Sequence, residues 1–294
     1  MISSITLRAP AKINLFLHIT GRREDGYHNL QTAFQFLDVS DTLQFSLNDA
    51  SPPAENIVLS GDTNDIALDD NLIYRAARAL KAETGCTQGA SINIKKRLPM
   101  GGGIGGGSSD AASTLLALNT LWQTGLSLEQ LAQIGVQLGA DVPVFVQGHA
   151  AFAEGVGEQL QPIEPAEPWY LLLKPDCSVS TGEIFSKQEL TRNTSPIRIA
   201  AFLSGVACTR NDCQPVVEKY YPQVGEAMAW LSSHSKPYLT GTGACIFAAF
   251  ETEQAAQSVQ ECMPGAWQGF VAQGRNRSPA HDDLATYVLA RNRL

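Results

Sequence analysis

The densest chemical signal in the chain is the stretch Leu98-Pro99-Met100-Gly101-Gly102-Gly103-Ile104-Gly105-Gly106-Gly107-Ser108-Ser109, in which six of the seven positions from 101 to 107 are glycine. Each glycine costs folding entropy, and the usual compensation is close approach of main chain to a ligand. The run leads into Asp110-Ala111-Ala112-Ser113-Thr114-Leu115-Leu116, where Ala111, Leu115, Leu118 and Trp122 share a helical face and Ser108 or Ser109 can cap. A helix start presents unpaired N–H groups and partial positive charge, so a phosphate is its natural guest. The lysine of a Walker loop is missing. Gly101, Gly103 and Gly106 fit a dinucleotide fingerprint only because a glycine run satisfies most spacings, and no acidic residue stands near Leu126 to hold a ribose. The His-Arg-Asp and Asp-Phe-Gly motifs of protein kinases are absent. A flexible linker is disfavoured, because a capped apolar helix follows at once.

Two charged side chains stand in apolar company. Lys12 and Asn14 lie one pleat apart on a strand. On spacing alone, Lys12 reads as a lysine at a solvated strand edge. Asp141, in Ala140-Asp141-Val142-Pro143-Val144, reads equally as the cap of a short helix opened by Pro143 and as a catalytic carboxylate. Tyr27 and His28, after Gly26, could close a pocket with an aromatic plane and a hydrogen-bonding edge. By pattern alone they read rather as a loop tip with a partly buried tyrosine.

The elements that position these residues follow from periodicity and punctuation. Residues 5–19 read as a strand broken at Pro10, and Ser91 to Arg97 alternates as a strand with one wet face. Leu30–Val39 and Thr42–Leu47 read as two strands with a turn at Ser40-Asp41, and 48–70 as mostly loop. A helix capped by Asp70 or Asn71 buries Leu72, Ala76, Ala79 and Leu80 and ends at Gly85. Ser127-Leu128-Glu129-Gln130 is a capping box for a helix to Leu138. A hairpin is expected around Gly155 and Gly157. Three prolines between Gln161 and Pro168 suggest a domain boundary, giving units 1–163 and 164–294. The second unit opens with a strand from Trp169 to Lys174 and continues with helices near 182–189, 196–204, 213–221 and 223–232. A second glycine turn, Leu239-Thr240-Gly241-Thr242-Gly243-Ala244, precedes a strand from Ile246 to Phe250. A helix near 252–262 and a strand near 268–273 close the unit.

The chain has 294 residues, enough for two domains, and a net charge of −8. That charge argues against a nucleic-acid groove but not against a phosphorylated ligand in a locally positive pocket. No run is apolar enough to span a bilayer and no export signal is evident, so a cytoplasmic protein is expected. Six scattered cysteines without a Cys-x-x-Cys pair argue against zinc. The number of subunits is left open.

Three blocks resemble the GHMP kinases, the family of galactokinase, homoserine kinase and mevalonate kinase: Pro10-Ala11-Lys12-Ile13-Asn14-Leu15, Pro99 to Ala112, and Leu239 to Ala244. Thr20 to His28 and Leu138 to Pro143 narrow the resemblance to the branch that phosphorylates 4-diphosphocytidyl-2-C-methyl-D-erythritol in the non-mevalonate isoprenoid route. The resemblance implies an α/β (α+β) fold of two domains with the active site in the cleft between them. It implies ATP as co-substrate and the CDP-linked methylerythritol as the small-molecule substrate, phosphorylated at its C2 hydroxyl. Asp141 corresponds to the base and Lys12 to the catalytic lysine. Pro99, Met100, Gly101, Gly102, Gly103, Ile104, Gly105, Gly106, Gly107, Ser108, Ser109 and Asn71 would surround the ATP. Asn14, Tyr27, His28, Thr181, Phe185 and Gly241 would meet the substrate, with Tyr27 and Phe185 on the faces of the cytosine.

With no Walker lysine, Mg²⁺ is the expected source of positive charge, and the Ser108 hydroxyl is a candidate ligand. Asp110 is a tension beside a triphosphate, eased if it satisfies helix N–H groups or reaches the metal through water. A bulky side chain at Gly103 or Gly105 is expected to intrude on the phosphates. Rival readings are another GHMP kinase, of mevalonate or homoserine type, and a nucleotide-binding protein of the same fold that does not catalyse.

Overall fold

The computed structural model describes residues 4–48, 57–64 and 66–292. Two long strands, β1 (Ser4–Arg22) and β2 (His28–Asn48), pair antiparallel along their whole length. The expected break at Pro10 is a register shift between Pro10 and Lys12, so the strand bends and continues. The expected turn at Ser40-Asp41 does not form, and β2 runs straight through it. Asp41 is fully buried there, and its carboxylate accepts the amides of Arg97 at 2.5 Å and Leu98 at 2.8 Å. Partners far along the chain thus override a residue that favours turns.

Within the stretch expected as loop, β3 (Ile57–Gly61) pairs parallel with β4 (Gly89–Lys95). Positions 49–56 of that stretch lie outside the described residues. Helix α1 (Leu72–Thr84) is capped by the Asn71 side chain and closed by Gly85 in the left-handed region. Its buried side is Ile73, Ala76, Ala77 and Leu80, while the expected Leu72 and Ala79 are only partly buried against the same core. Helix α2 (Gly106–Leu121) starts one turn earlier than Ser109, with Gly105 at the cap position. Ser108 and Ser109 therefore lie in its first turn and cap nothing. This helix is buried on nearly every side, so a one-faced pattern was too narrow a description. The capping box of α3 (Leu128–Leu138) is complete in both directions. Then come α4 (Val142–Gln147) and the hairpin β5 (Ala151–Glu154) and β6 (Gln159–Pro162).

The second half holds β7 (Trp169–Lys174), α5 (Thr181–Ser186), α6 (Ile199–Leu203), α7 (Gln214–Tyr220), α8 (Pro222–Ser232), β8 (Pro237–Leu239), β9 (Ile246–Phe250), α9 (Glu253–Glu261), β10 (Gln268–Arg275) and α10 (Pro279–Arg291). The last helix was not anticipated, and it places Leu284 and Tyr287 against the first-half core.

Strand β2 organises the molecule. One edge carries β1, while the other carries β5 at residues 32–34, β10 at 36–37 and β4 at 42–48. Through β10 the sheet passes into β7, β9 and β8, so it runs through both halves. One core lies between β1, β2 and β4 and helices α1 to α4, and a second lies around β7, β9 and α7 to α9. A third cluster joins them, and it includes Ala11, Ile13, Leu98, Ile104, Cys245 and Phe247. Leu98 and Ile104 thus pin the glycine run from both sides into the seam between the halves. No helix among the described residues is long and apolar enough to cross a membrane.

Candidate active site

The glycine run is shaped by the second glycine turn. The Ala244 amide donates to Gly101 O at 3.3 Å and the Cys245 amide to Gly102 O at 3.1 Å. Gly103 has φ 72°, and a Cβ there would sit 2.6 Å from Thr240 O. At Gly105, φ 75°, a Cβ would meet the Phe145 ring at 2.9 Å and the Lys12 stem at 3.2 Å. The expectation that side chains here would first strike phosphate is corrected: they would strike the protein. The glycines let two turns and a lysine pack together. The run's amides stay available, since none from 101 to 108 donates to a protein acceptor among the described residues. The loop's carbonyls, by contrast, are turned inward.

Those carbonyls receive Lys12. Its amide donates to Ile104 O at 2.9 Å, and its Nζ donates to Gly103 O at 3.1 Å and Asn14 Oδ1 at 2.6 Å. Only 2% of Lys12 is exposed, so the solvated-edge reading is overturned. β1 is covered on both faces, and a buried ammonium needs partners on every proton. One partner is Asp141, whose Oδ2 lies 3.1 Å from Nζ. Asp141 occupies the cap position of α4 but makes no side-chain cap bond. The geometry speaks against the helix-cap reading, since the carboxylate turns to Lys12. Asn14 is fixed in turn, its Nδ2 donating to Thr32 Oγ1 at 3.0 Å and its amide to Thr240 Oγ1 at 2.9 Å.

Three cavities meet in a row at this pair. The first, about 440 Å³, is lined by the main chain of residues 99–108, Asn71, Lys96, Asp110 and Asp141. The middle one, about 250 Å³, is lined by Lys12, Asn14, Asp141, Thr181, Phe185 and Gly241. The outer one, about 610 Å³, is lined by Tyr27, His28, Thr181 and Phe185. Gly103, Ser108 and Asp141 are shared by the first and middle cavities, and Thr181, Phe185 and Ala140 by the middle and outer ones. The structure therefore brings every sequence-predicted site residue to one cleft except Ser109. Ser109 is fully buried, and its Oγ has no hydrogen-bond partner among the described residues.

At the outer end, His28 is 8% exposed, and its ring lies 5.1 Å from that of Phe185 with a tilt of 32°. Tyr27 is 67% exposed at the rim of the outer cavity. Burial first, then the positive charges of Arg192 and Arg22, hold the His28 imidazole below its ordinary pKa. At the inner end, Asp110 satisfies no helix N–H among the described residues. Its Oδ2 accepts from Lys96 Nζ at 2.8 Å, and the same Nζ reaches Asp41 at 2.5 Å. Burial pushes Asp110 up to about 7, with Asp41 adding to the shift and Lys96 opposing it. Lys96 supplies a positive charge in the first cavity that the sequence did not disclose. Its only signal was a basic residue at the end of a strand three positions before Pro99.

The region 71–149 matches the GHMP kinases N terminal domain, and 188–269 matches the GHMP kinases C terminal domain. A protein of Marinobacter nauticus called 4-diphosphocytidyl-2-C-methyl-D-erythritol kinase is 55% identical over 97% of this chain and 99% of its own length. The kinase of the same description from Nitrosococcus oceani is 55% identical over 94% of the chain and 96% of its own length. The chain belongs to the 4-diphosphocytidyl-2-C-methyl-D-erythritol kinase family. A crystal structure of a kinase of this family superposes with a TM-score of 0.80 at 28% identity, covering 92% of this chain and 99% of the other. A mevalonate kinase structure superposes at 0.65 with 14% identity, covering 93% and 99%, a likeness of fold. As a member of this kinase family the chain is a small-molecule phosphotransferase that takes ATP as co-substrate, on a two-part α/β fold.

Proposed function

We propose that the chain transfers the γ-phosphoryl group of ATP to the C2 hydroxyl of 4-diphosphocytidyl-2-C-methyl-D-erythritol, with Asp141 as base and Lys12 at its side. The single observation that carries this reading is the Lys12–Asp141 contact of 3.1 Å, in the middle of three communicating cavities. The first cavity offers undonated amides to a triphosphate, and fixed donors of that kind need no reorganisation as charge builds. The outer cavity offers aromatic faces and a histidine edge to a cytosine. ATP held at one end and the cytosine nucleotide held at the other bring the γ-phosphate and the alcohol together at the pair between them.

A tertiary alcohol is a poor nucleophile until a base takes its proton. In the proposed step the Asp141 carboxylate accepts that proton as the hydroxyl oxygen forms a bond to the γ-phosphorus. The bond from phosphorus to the β-phosphate oxygen breaks, and ADP leaves with the electron pair. Lys12, held by Gly103 O and Asn14 Oδ1, keeps Asp141 oriented and stabilises negative charge on the attacking oxygen.

Mg²⁺ is part of the proposal, entering with ATP. The residues fit such an ion. Ser108 and Asp141 line the same cavity, and Asp110 Oδ1 is a buried oxygen without a hydrogen-bond partner among the described residues. When bound, Mg²⁺ neutralises charge on the phosphate oxygens. We also infer a cytoplasmic location and a boundary between the two units near 163–164.

His28 is proposed to read the edge of the cytosine, between Tyr27 and Phe185 on its faces. A panel of acceptors with ATP and Mg²⁺ tests the whole reading: the CDP-linked methylerythritol should release ADP rapidly, while mevalonate and homoserine should not. Comparable ADP release with mevalonate or homoserine would overturn it.

A further inference from the structure

His28 has a partner that selects which of its two ring nitrogens carries the proton. Arg192 Nε donates to His28 Nε2 at 2.9 Å, across 164 positions of sequence. The other guanidinium hydrogens are also committed. Nη1 donates to Gln188 O at 3.3 Å and Leu190 O at 3.0 Å, and Nη2 to Phe185 O at 3.0 Å and Lys187 O at 2.6 Å. A guanidinium has five N–H donors, no acceptor, and stays protonated in proteins. All five therefore have acceptors, and the group cannot turn without breaking several bonds at once.

The consequence for His28 follows from donor and acceptor counting. A nitrogen that accepts from Arg192 cannot carry hydrogen, so Nε2 is bare. The neutral ring then carries its single hydrogen on Nδ1. A doubly protonated ring would set two donors against each other, and the depressed pKa of His28 agrees with a neutral ring. Nδ1 has no hydrogen-bond partner among the described residues, while the ring lines the outer cavity. Cytosine presents acceptors at its ring N3 and its O2. Uracil shares the O2 acceptor but carries hydrogen on N3, so a fixed donor aimed at N3 suits cytosine and opposes uracil.

We propose that Arg192 is a positioning residue for base selection: it locks His28 in the Nδ1–H tautomer and so makes the outer cavity prefer a cytosine to a uracil nucleotide. The inference rests on the reading of His28 as the residue that meets the base. Arg192 also ties the end of α5, and with it Phe185, to the loop 187–192. A purely structural role through that tie would weaken both bases alike, whereas the tautomer role moves them in opposite directions. Without Arg192, His28 is free to place its hydrogen on Nε2 and accept from uracil at Nδ1.

The test compares CDP-linked and UDP-linked methylerythritol as substrates of the wild type, Arg192→Met, Arg192→Lys and His28→Gln. In Arg192→Met the preference for CDP, as a ratio of kcat/KM, should fall about tenfold or more, with the UDP-linked substrate gaining in absolute terms. KM for ATP should not move. Arg192→Lys, which can still place one N–H on Nε2, should recover part of the preference. Nitrogen NMR of histidine-labelled wild type, with His28→Gln to assign the signal, should show hydrogen on Nδ1 of His28, and this readout needs no variant of Arg192 to fold. Hydrogen on Nε2 in the wild type overturns the proposal, as does an equal loss for both substrates in Arg192→Met. If His28→Gln leaves the base preference unchanged, the reading of His28 itself fails and takes this one with it. If His28→Gln abolishes the preference and Arg192→Met keeps it, only the role of Arg192 fails.

Discussion

The two ends of the cleft are built from different materials. The inner end is main chain: a bare run of amides from 101 to 108, pinned by Leu98 and Ile104 and braced from behind by the second glycine turn. The outer end is side chain: His28, Phe185 and Tyr27, drawn from segments far apart in sequence. The first suits a ligand whose oxygens look alike from several directions, as a triphosphate's do. The second suits a flat base with one distinctive edge. Lys12 and Asp141 stand where the two meet, and Lys12 is held by the carbonyls of the same loop whose amides face the other way. Binding one ligand and orienting the lysine are therefore tasks of a single stretch of backbone.

The difference can be broken most forcefully from beneath the inner end. Lys96 joins Asp41 and Asp110 in a site where Asp41 is fully buried. Lys96→Met leaves two buried carboxylates without their cation, which should cost about 3–5 kcal/mol in denaturant unfolding. It should also raise KM for ATP far more than KM for the CDP-linked substrate. Equal effects on both would mean that the two ends do not act separately.

A smaller loss is expected at Gly105. An alanine there must take a left-handed conformation and meet Phe145 at 2.9 Å, at a cost of about 2 kcal/mol. Because its Cβ would also lie 3.2 Å from the Lys12 stem, Gly105→Ala should lower kcat as well as stability. Unchanged kcat in a folded Gly105→Ala protein would detach the loop from the lysine. The slightest effect concerns acid and the outer end alone. The folded His28 ring has a pKa below its ordinary 6.5, so its contribution to stability is complete above 6.5 and is lost as pH falls and the unfolded chain takes up the proton. Melting temperatures of His28→Gln should decline less than those of the wild type below pH 6.5. Parallel declines would place the acid sensitivity elsewhere.

What was readable in the sequence divides along similar lines. Local chemistry was legible: the Ser127–Gln130 capping box, Asn71 and Gly85 at the ends of α1, and the glycine run ahead of α2. In each, the residue type itself encodes a backbone conformation. The packing demand at Gly103 and Gly105 was not legible, because their neighbours Thr240 and Phe145 come from distant segments that a local pattern cannot reveal. The burial of Lys12 was illegible because β1 is covered from both sides by later segments. Asp41 was read as a turn because its amide partners lie 56 and 57 positions away. At the outer end the residues themselves favoured a plain loop tip, and only the likeness to a kinase family pointed to Tyr27 and His28. Arg192 gave no signal at all, since its meaning depends on a contact made across the fold.

The most direct measurement of the central claim is turnover by Asp141→Asn with binding of both ligands measured separately. The substitution keeps the size and removes the base. kcat should fall about a hundredfold or more, while calorimetric affinities for an ATP analogue and for the CDP-linked substrate stay near those of the wild type. Near-normal turnover in a variant that binds both ligands would contradict the account.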